Sequence, residues 1–418
     1  MRTFCVVACL MASGALLSGQ ARPLVAPAAQ AEYARLLPEI GKIPIFDHHA
    51  HPAFADDPDV DAAPPPPGAS PLRLRDSNPE FAAAAKAFAG IKRERTAAFF
   101  NAALDRLGIE TSMANRVAMA DYLDPARFKW VFFVDCLMFP LDNTGMAARN
   151  PDEAAYMPAQ EKLLARYRQQ LGDPPKPTTL DEYLTFVTRV LEDNQRRGGV
   201  AVKFEAAYFR SLAFGDPPRD RVAAIYAKYQ PGGTPSLAEY ADFQDLVFRH
   251  IVVEAGRLHL PVHIHTSAGA GDYFKLRNVF VLNLENIVKD PRYSSTIFVL
   301  IHGGFPADRE AIWLASARNV YIDSSATGLI AYPTEFKDIL KRWLETFPEK
   351  ITFGTDAFPY SETIGAESVY WVAVQSGRAA LAAALAEMIA AHEITHAQAL
   401  LMARAYLHDT TASLYARR

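Results

Sequence analysis

The chain has 418 residues, 50% of them hydrophobic and 22% charged, and a formal net charge of -4. That composition belongs to a folded globular protein and excludes a disordered or collagen-like chain. With Lys+Arg at 43 against Asp+Glu at 47, no positive excess exists to neutralise phosphates. Nucleic-acid binding through a broad basic surface is thereby excluded, and the expected partner is a small molecule.

The first element in chain order is a leader. Arg2 precedes an apolar run over 3–17 and then Ser18-Gly19-Gln20-Ala21, the pattern of a secretory signal peptide over residues 1–21, with a competing cleavage site after Ala31. Ser13, Gly14, Ser18 and Gly19 dilute the run below what a membrane span needs. No other apolar stretch reads as a span, so the processed chain is expected to be exported, periplasmic or secreted, and free of the membrane. Cys5 and Cys9 would leave with the leader and Cys136 would stand alone, which excludes a disulfide framework.

Eight strand-like runs follow, at 43–49, 113–120, 130–137, 200–206, 260–266, 296–302, 320–325 and 351–356. Helical patterns at 179–197, 236–258, 308–317 and 334–347 separate them, the alternation of a parallel sheet. The runs at 131–134 and 297–301 are continuously apolar, as strands covered on both faces should be. The expected fold is an α/β (β/α)8 TIM barrel, a single domain over 32–418. Three insertions interrupt it: one near 54–95, irregular over 54–80 with four prolines at 64–67; one at 143–177, with a helical stretch at 161–170; and one at 210–235. All leave strand C-terminal ends, where such loops wall the active site.

Six of the eleven histidines lie in three clusters that end expected strands: His48-His49-Ala50-His51, His263-Ile264-His265, and His302. Strict alternation makes His49 and His51 project together, with Asp47 on the same face and His48 on the other. Two imidazoles from one strand end, a third from a distant strand and the Asp356 carboxylate at the last strand end suit a borderline divalent ion such as Zn²⁺. Of the fifth-strand pair, His265 is the expected ligand because it lies nearer the strand end, although His263 shares its parity.

The segments Phe46-Asp47-His48-His49-Ala50-His51-Pro52, Pro261-Val262-His263-Ile264-His265-Thr266, Ile301-His302-Gly303-Gly304-Phe305-Pro306 and Phe353-Gly354-Thr355-Asp356 resemble the amidohydrolase superfamily, within it the amidohydrolase-related metal-dependent hydrolases and decarboxylases. The resemblance extends over nearly all of the mature chain. The block through Gly271-Asp272 and Leu276-Arg277-Asn278 is similar to amidohydrolase domains fused to glutamine synthetase. By resemblance, His49, His51, His265 and Asp356 are metal-associated, and His302 is a catalytic base or orienting group. Two departures stand out: Ser267-Ala268 follows Thr266 where the subgroup has glycine, and His408-Asp409-Thr410-Thr411-Ala412-Ser413-Leu414-Tyr415 matches the family's last helix loosely.

The resemblance implies one divalent metal, Zn²⁺ by preference, activating water for attack on an amide, ester or lactone, with Asp356 moving the proton and His302 bonding the water or oxyanion. Non-oxidative decarboxylation is the alternative reaction, and a non-catalytic metal-binding barrel the alternative class. Lys203, at the fourth strand, is expected inside the barrel, where a lysine is costly unless paired. By resemblance it binds a substrate carboxylate with Tyr208 and Arg210 nearby. Two other roles stay open for Lys203: carbamylation to bridge a second metal with His265 and His302, or a salt bridge to Glu205. Asp272 is read as substrate contact or loop cap, and Arg277 and Arg309 as surface or packing residues.

Overall fold

Eight short parallel strands pair in chain order: β1 (Ile45–Ala50), β2 (Ile109–Asn115), β3 (Phe128–Phe133), β4 (Gly199–Phe204), β5 (Val262–His265), β6 (Phe298–Ile301), β7 (Val320–Asp323) and β8 (Ile351–Thr352). They come from a computed structural model that describes residues 23–63 and 69–416; the expected leader and the prolines at 64–67 lie outside the described residues. β8 is only two residues long, and the segment after it closes the ring on β1. His48 N–H donates to the Phe353 carbonyl, the Thr355 and Asp356 N–H groups to the His49 carbonyl, and His51 N–H to the Ala357 carbonyl. The architecture is the (β/α)8 barrel expected from the strand–helix alternation.

β2 starts four residues before its expected position, because Gly108, at φ 69°, ends the helix Ala97–Leu107 and launches the strand at once. The helices Leu180–Arg196 and Leu237–Arg257 begin where expected, each behind a capping box, Thr179 with Glu182 and Ser236 with Glu239. The insertions hold more helix than their composition suggests: Pro79–Phe88 in the first, Pro151–Gln170 in the second, Arg219–Tyr229 in the third. One helix, Ala366–Ala390, is long and apolar enough to cross a membrane, contrary to the sequence expectation; it is largely buried against the helices Gln30–Ile40 and Pro333–Thr346.

In β1 the register slips: Asp47 pairs with Ser112 and Ala50 with Ala114, so β1 carries one more residue than β2 over this stretch. Such a bulge breaks the alternation on which the expected facing of Asp47 and His48 rested. His48 is not turned away from the interior; its ring lies 4.6 Å from that of His263 on the opposite side of the barrel. Tyr415, from the last helix, joins both, its Oη 2.9 Å from His48 Nε2 and 2.6 Å from His263 Nε2. The last helix thus reaches the two histidines of the barrel interior through Tyr415.

Asp47 does not join that cavity. It accepts hydrogen bonds from Ser112 Oγ at 2.6 Å and from Thr355 N–H at 2.7 Å, tying β1 to β2 and to the loop after β8. Burial pushes its pKa from 3.8 up to about 8. The folded state then holds this proton more tightly than the unfolded chain, so its contribution to stability is complete below the unfolded value and is lost as pH rises through about 8. In metal-free protein, the urea midpoint of wild type should fall more steeply between pH 5 and 8, roughly, than that of Asp47→Asn. Parallel pH profiles would refute this reading of Asp47.

Candidate metal centre

His49 and His51 leave β1 on either side of the bulge's end, and Asp356 arrives from the loop after β8, held by its N–H bond to the His49 carbonyl at 2.7 Å. Asp356 Oδ1 is 3.3 Å from His49 Nε2 and 3.8 Å from His51 Nε2. One ligand atom from each residue lies within 4.8 Å of the other two. Burial holds the His49 imidazole well below its ordinary pKa, with Lys203 adding to the effect, and burial lowers that of His51 as well. Both rings are therefore neutral at physiological pH and offer lone pairs, the state a metal requires. Two neutral imidazoles and a carboxylate on one point fit a divalent ion of the zinc type.

His302 and Asp356 both have left-handed backbone, at φ 67° and 55°. Non-glycine residues adopt that region at a cost, and they do so mostly where position matters. His302 Nδ1 is 3.1 Å from the Ser325 carbonyl and 2.9 Å from Ser325 Oγ, and its ring packs 5.2 Å from that of His49. A carbonyl only accepts, so Nδ1 carries the hydrogen and Nε2 keeps its lone pair. Ser325 Oγ in turn donates to Asp323, whose other oxygen lies 3.2 Å from His48 Nδ1.

His265 sits beside the three-donor group rather than in it. Its Nε2 is 3.0 Å from the Ser267 carbonyl and its ring packs against Tyr208 and His302, with centroids at 4.9 and 4.8 Å. Burial brings its pKa down to about 3, with Lys203 contributing. Nε2 is thus the donor and Nδ1 the free lone pair. Lys203, 1% exposed, points inward with Nζ 3.4 Å from His49 Nε2. The salt bridge to Glu205 is absent: among the described residues no carboxylate oxygen comes within 4.0 Å of Nζ.

A cavity of about 470 Å³ opens above these groups, lined by His51, Lys203, Tyr208, His265, His302 and Asp356 and walled by Tyr156, Phe358 and Tyr360. This is the size of a small-molecule site. Two expected substrate contacts are not in it. Arg210 is buried behind β4, its guanidinium 2.5 Å from Asp245 Oδ1 and 3.1 Å from Gln244 Oε1, because the helix Leu237–Arg257 offers it a carboxylate. Asp272 is exposed outside the cavity, on the loop before the short helix Leu276–Val279. Asp61, from the first insertion, and Glu205, just beyond β4, line the cavity instead. Asp61 carried no sequence signal, since it lies in an aperiodic segment.

Barrel and site together define a metal-dependent enzyme fold. Residues 228–392 of the chain match the amidohydrolase family model. That match is shorter than the resemblance read from the motifs, and it leaves the β1 histidines outside. A stretch of 157 residues is 27% identical to Protein fluG of Emericella nidulans, covering 37% of this chain and 17% of that protein. The chain thus spans under a fifth of that relative's length. Among solved structures, one provisionally described as a metal-dependent hydrolase from Lactobacillus casei superposes with a TM-score of 0.66 at 17% identity, over 91% of this chain and 97% of that one. Uronate isomerase from Thermotoga maritima gives 0.62 at 13% identity, over 94% and 98%. Glucuronate isomerase from Caulobacter crescentus gives 0.57 at 14%, over 94% and 96%. At these identities the likeness is one of fold.

Proposed function

We propose that the chain is a metal-dependent hydrolase that directs water at an amide, ester or lactone bond of a small molecule. The observation that carries this reading is the convergence of His49, His51 and Asp356 beside a His302 whose Nε2 lone pair is free. A divalent ion held there supplies Lewis acidity, which makes water nucleophilic near neutral pH. Asp356 can take the proton of the attacking water on a carboxylate oxygen and pass it to the leaving group. His302, held by the Ser325 carbonyl, orients that water through Nε2. Tyr156, Phe358 and Tyr360 exclude solvent from the substrate. A barrel that only stored metal would have no use for His302, whose backbone is strained and whose ring is aimed at the site.

The test is a screen of amides, esters, lactones and aromatic acids with zinc-reconstituted protein. Turnover of one of the first three supports hydrolysis; carbon dioxide release from an acid, with no bond hydrolysed, would replace it with decarboxylation.

Lys203 supports a second reading of the metal content. An ammonium group 3.4 Å from His49 Nε2 would oppose a cation at that nitrogen, and no carboxylate oxygen among the described residues lies within 4.0 Å of it. Carbamylation would convert the opposing charge into a ligand, with His265 and His302 adjacent. With the ammonium form, wild type and Lys203→Ala should each hold one metal, whether or not bicarbonate is added. Two metals in wild type, falling to one or none in Lys203→Ala, would establish the bridged form.

A further inference from the structure

Two carboxylates that the mechanism does not use stand against His51. Asp61 Oδ2 is 3.3 Å from His51 Nδ1, the ring nitrogen facing away from Asp356, a charge-pair distance at which Nδ1 does not yet make a hydrogen bond. The other oxygen of Asp61, Oδ1, accepts the Ala63 N–H at 3.1 Å, which fixes the carboxylate's orientation and leaves Oδ2 for the histidine. Glu205 completes the group: one donor atom each from His51, Asp61 and Glu205 lies within 4.8 Å of the others. Glu205 is 95% buried, and its Oε2 has no hydrogen-bond partner among the described residues. The loop bearing Asp61 is itself anchored: the Ala62 carbonyl accepts from Gln160 Nε2 at 2.9 Å, Asp59 Oδ1 from Arg166 at 2.8 Å, and the Asp59 carbonyl from Val117 N–H at 3.0 Å. The second insertion thus clamps the first at the point where it reaches the metal centre.

A metal-ligating histidine whose remote N–H meets a carboxylate is held in one orientation and made a stronger ligand. Around the centre the cavity collects the carboxyl groups of Asp61, Glu205 and Asp356, each able to face a cation at the site. We infer that Asp61 is a positioning residue for His51, backed by the buried Glu205 carboxyl group, so that the loop after β1 is a metal-retention element as well as a cavity wall. This rests on metal occupancy at His49, His51 and Asp356.

The test is zinc affinity by chelator competition, with the visible spectrum of the cobalt-substituted protein as a report on ligand geometry. Asp61→Ala should bind zinc roughly 10–100-fold more weakly than wild type. Asp61→Asn, which keeps an acceptor for His51 but not the charge, should fall between them, and Glu205→Gln should show a smaller loss. Metal per chain at saturation should equal that of wild type in all three, the thermal midpoint of metal-free protein should not move, and the cobalt spectrum of Asp61→Ala should change. Wild-type affinity and spectrum in Asp61→Ala would overturn the inference while leaving the metal centre standing. So would a second metal in wild type that Asp61→Ala alone removes, since Asp61 would then be a direct ligand. Wild type that binds no metal would overturn both.

Discussion

His51→Ala, and separately His49→Ala, should emerge from purification without metal and without turnover. Each variant removes one of three converging donors whose ligand atoms lie within 4.8 Å of one another. The loss should exceed the roughly 10–100-fold that removal of an outer partner costs, because a direct ligand is gone. Elemental analysis of the two variants beside wild type decides the matter, and metal retained at full stoichiometry in both would remove these histidines from the site.

The second large effect is on the fold. Arg210→Ala should destabilise the protein by about 3–5 kcal/mol, the range for breaking a buried ion pair and stranding its partner. Arg210 and Asp245 are both buried; besides Arg210, Asp245 accepts the Gly215 N–H at 2.8 Å, and the guanidinium lies 4.5 Å over the Phe214 ring. Burial already pushes the Asp245 carboxyl above its usual pKa, with Arg210 pulling it back, so the carboxylate left behind is expensive. Against a typical domain stability of about 5–15 kcal/mol this is a large fraction. Urea unfolding measures it directly, and an unchanged midpoint together with a raised KM would return Arg210 to substrate binding.

These two predictions mark what the sequence carried and where it stopped. His49, His51 and Asp356 were legible because they stand at the ends of the first and last strands of the barrel, and a barrel gathers its strand ends in one place. Arg210 carried the same positional signal, just beyond a strand, but its partner is 35 residues on, in a helix whose inward face the sequence does not reveal. Alternation failed in β1 because a bulge adds a residue with no mark in the sequence, and so His48 was turned the wrong way. His265, expected as a ligand, lines the cavity beside the three-donor group with its Nε2 committed to the Ser267 carbonyl, and that carbonyl belongs to the Ser267-Ala268 stretch where the chain departs from the subgroup it resembles. The bonds of Tyr415 to His48 and His263 were not legible because a contact made from the last helix depends on tertiary packing alone.

The central claim is that one point between β1 and the loop after β8 holds a catalytic metal. An anomalous difference map from crystals of zinc-reconstituted protein, recorded at the zinc edge, tests it most directly. The expected result is a peak within bonding distance of His49 Nε2, His51 Nε2 and an Asp356 carboxylate oxygen. A peak bonded to Asp61 and Glu205 instead, or none in protein shown to contain zinc, would contradict it.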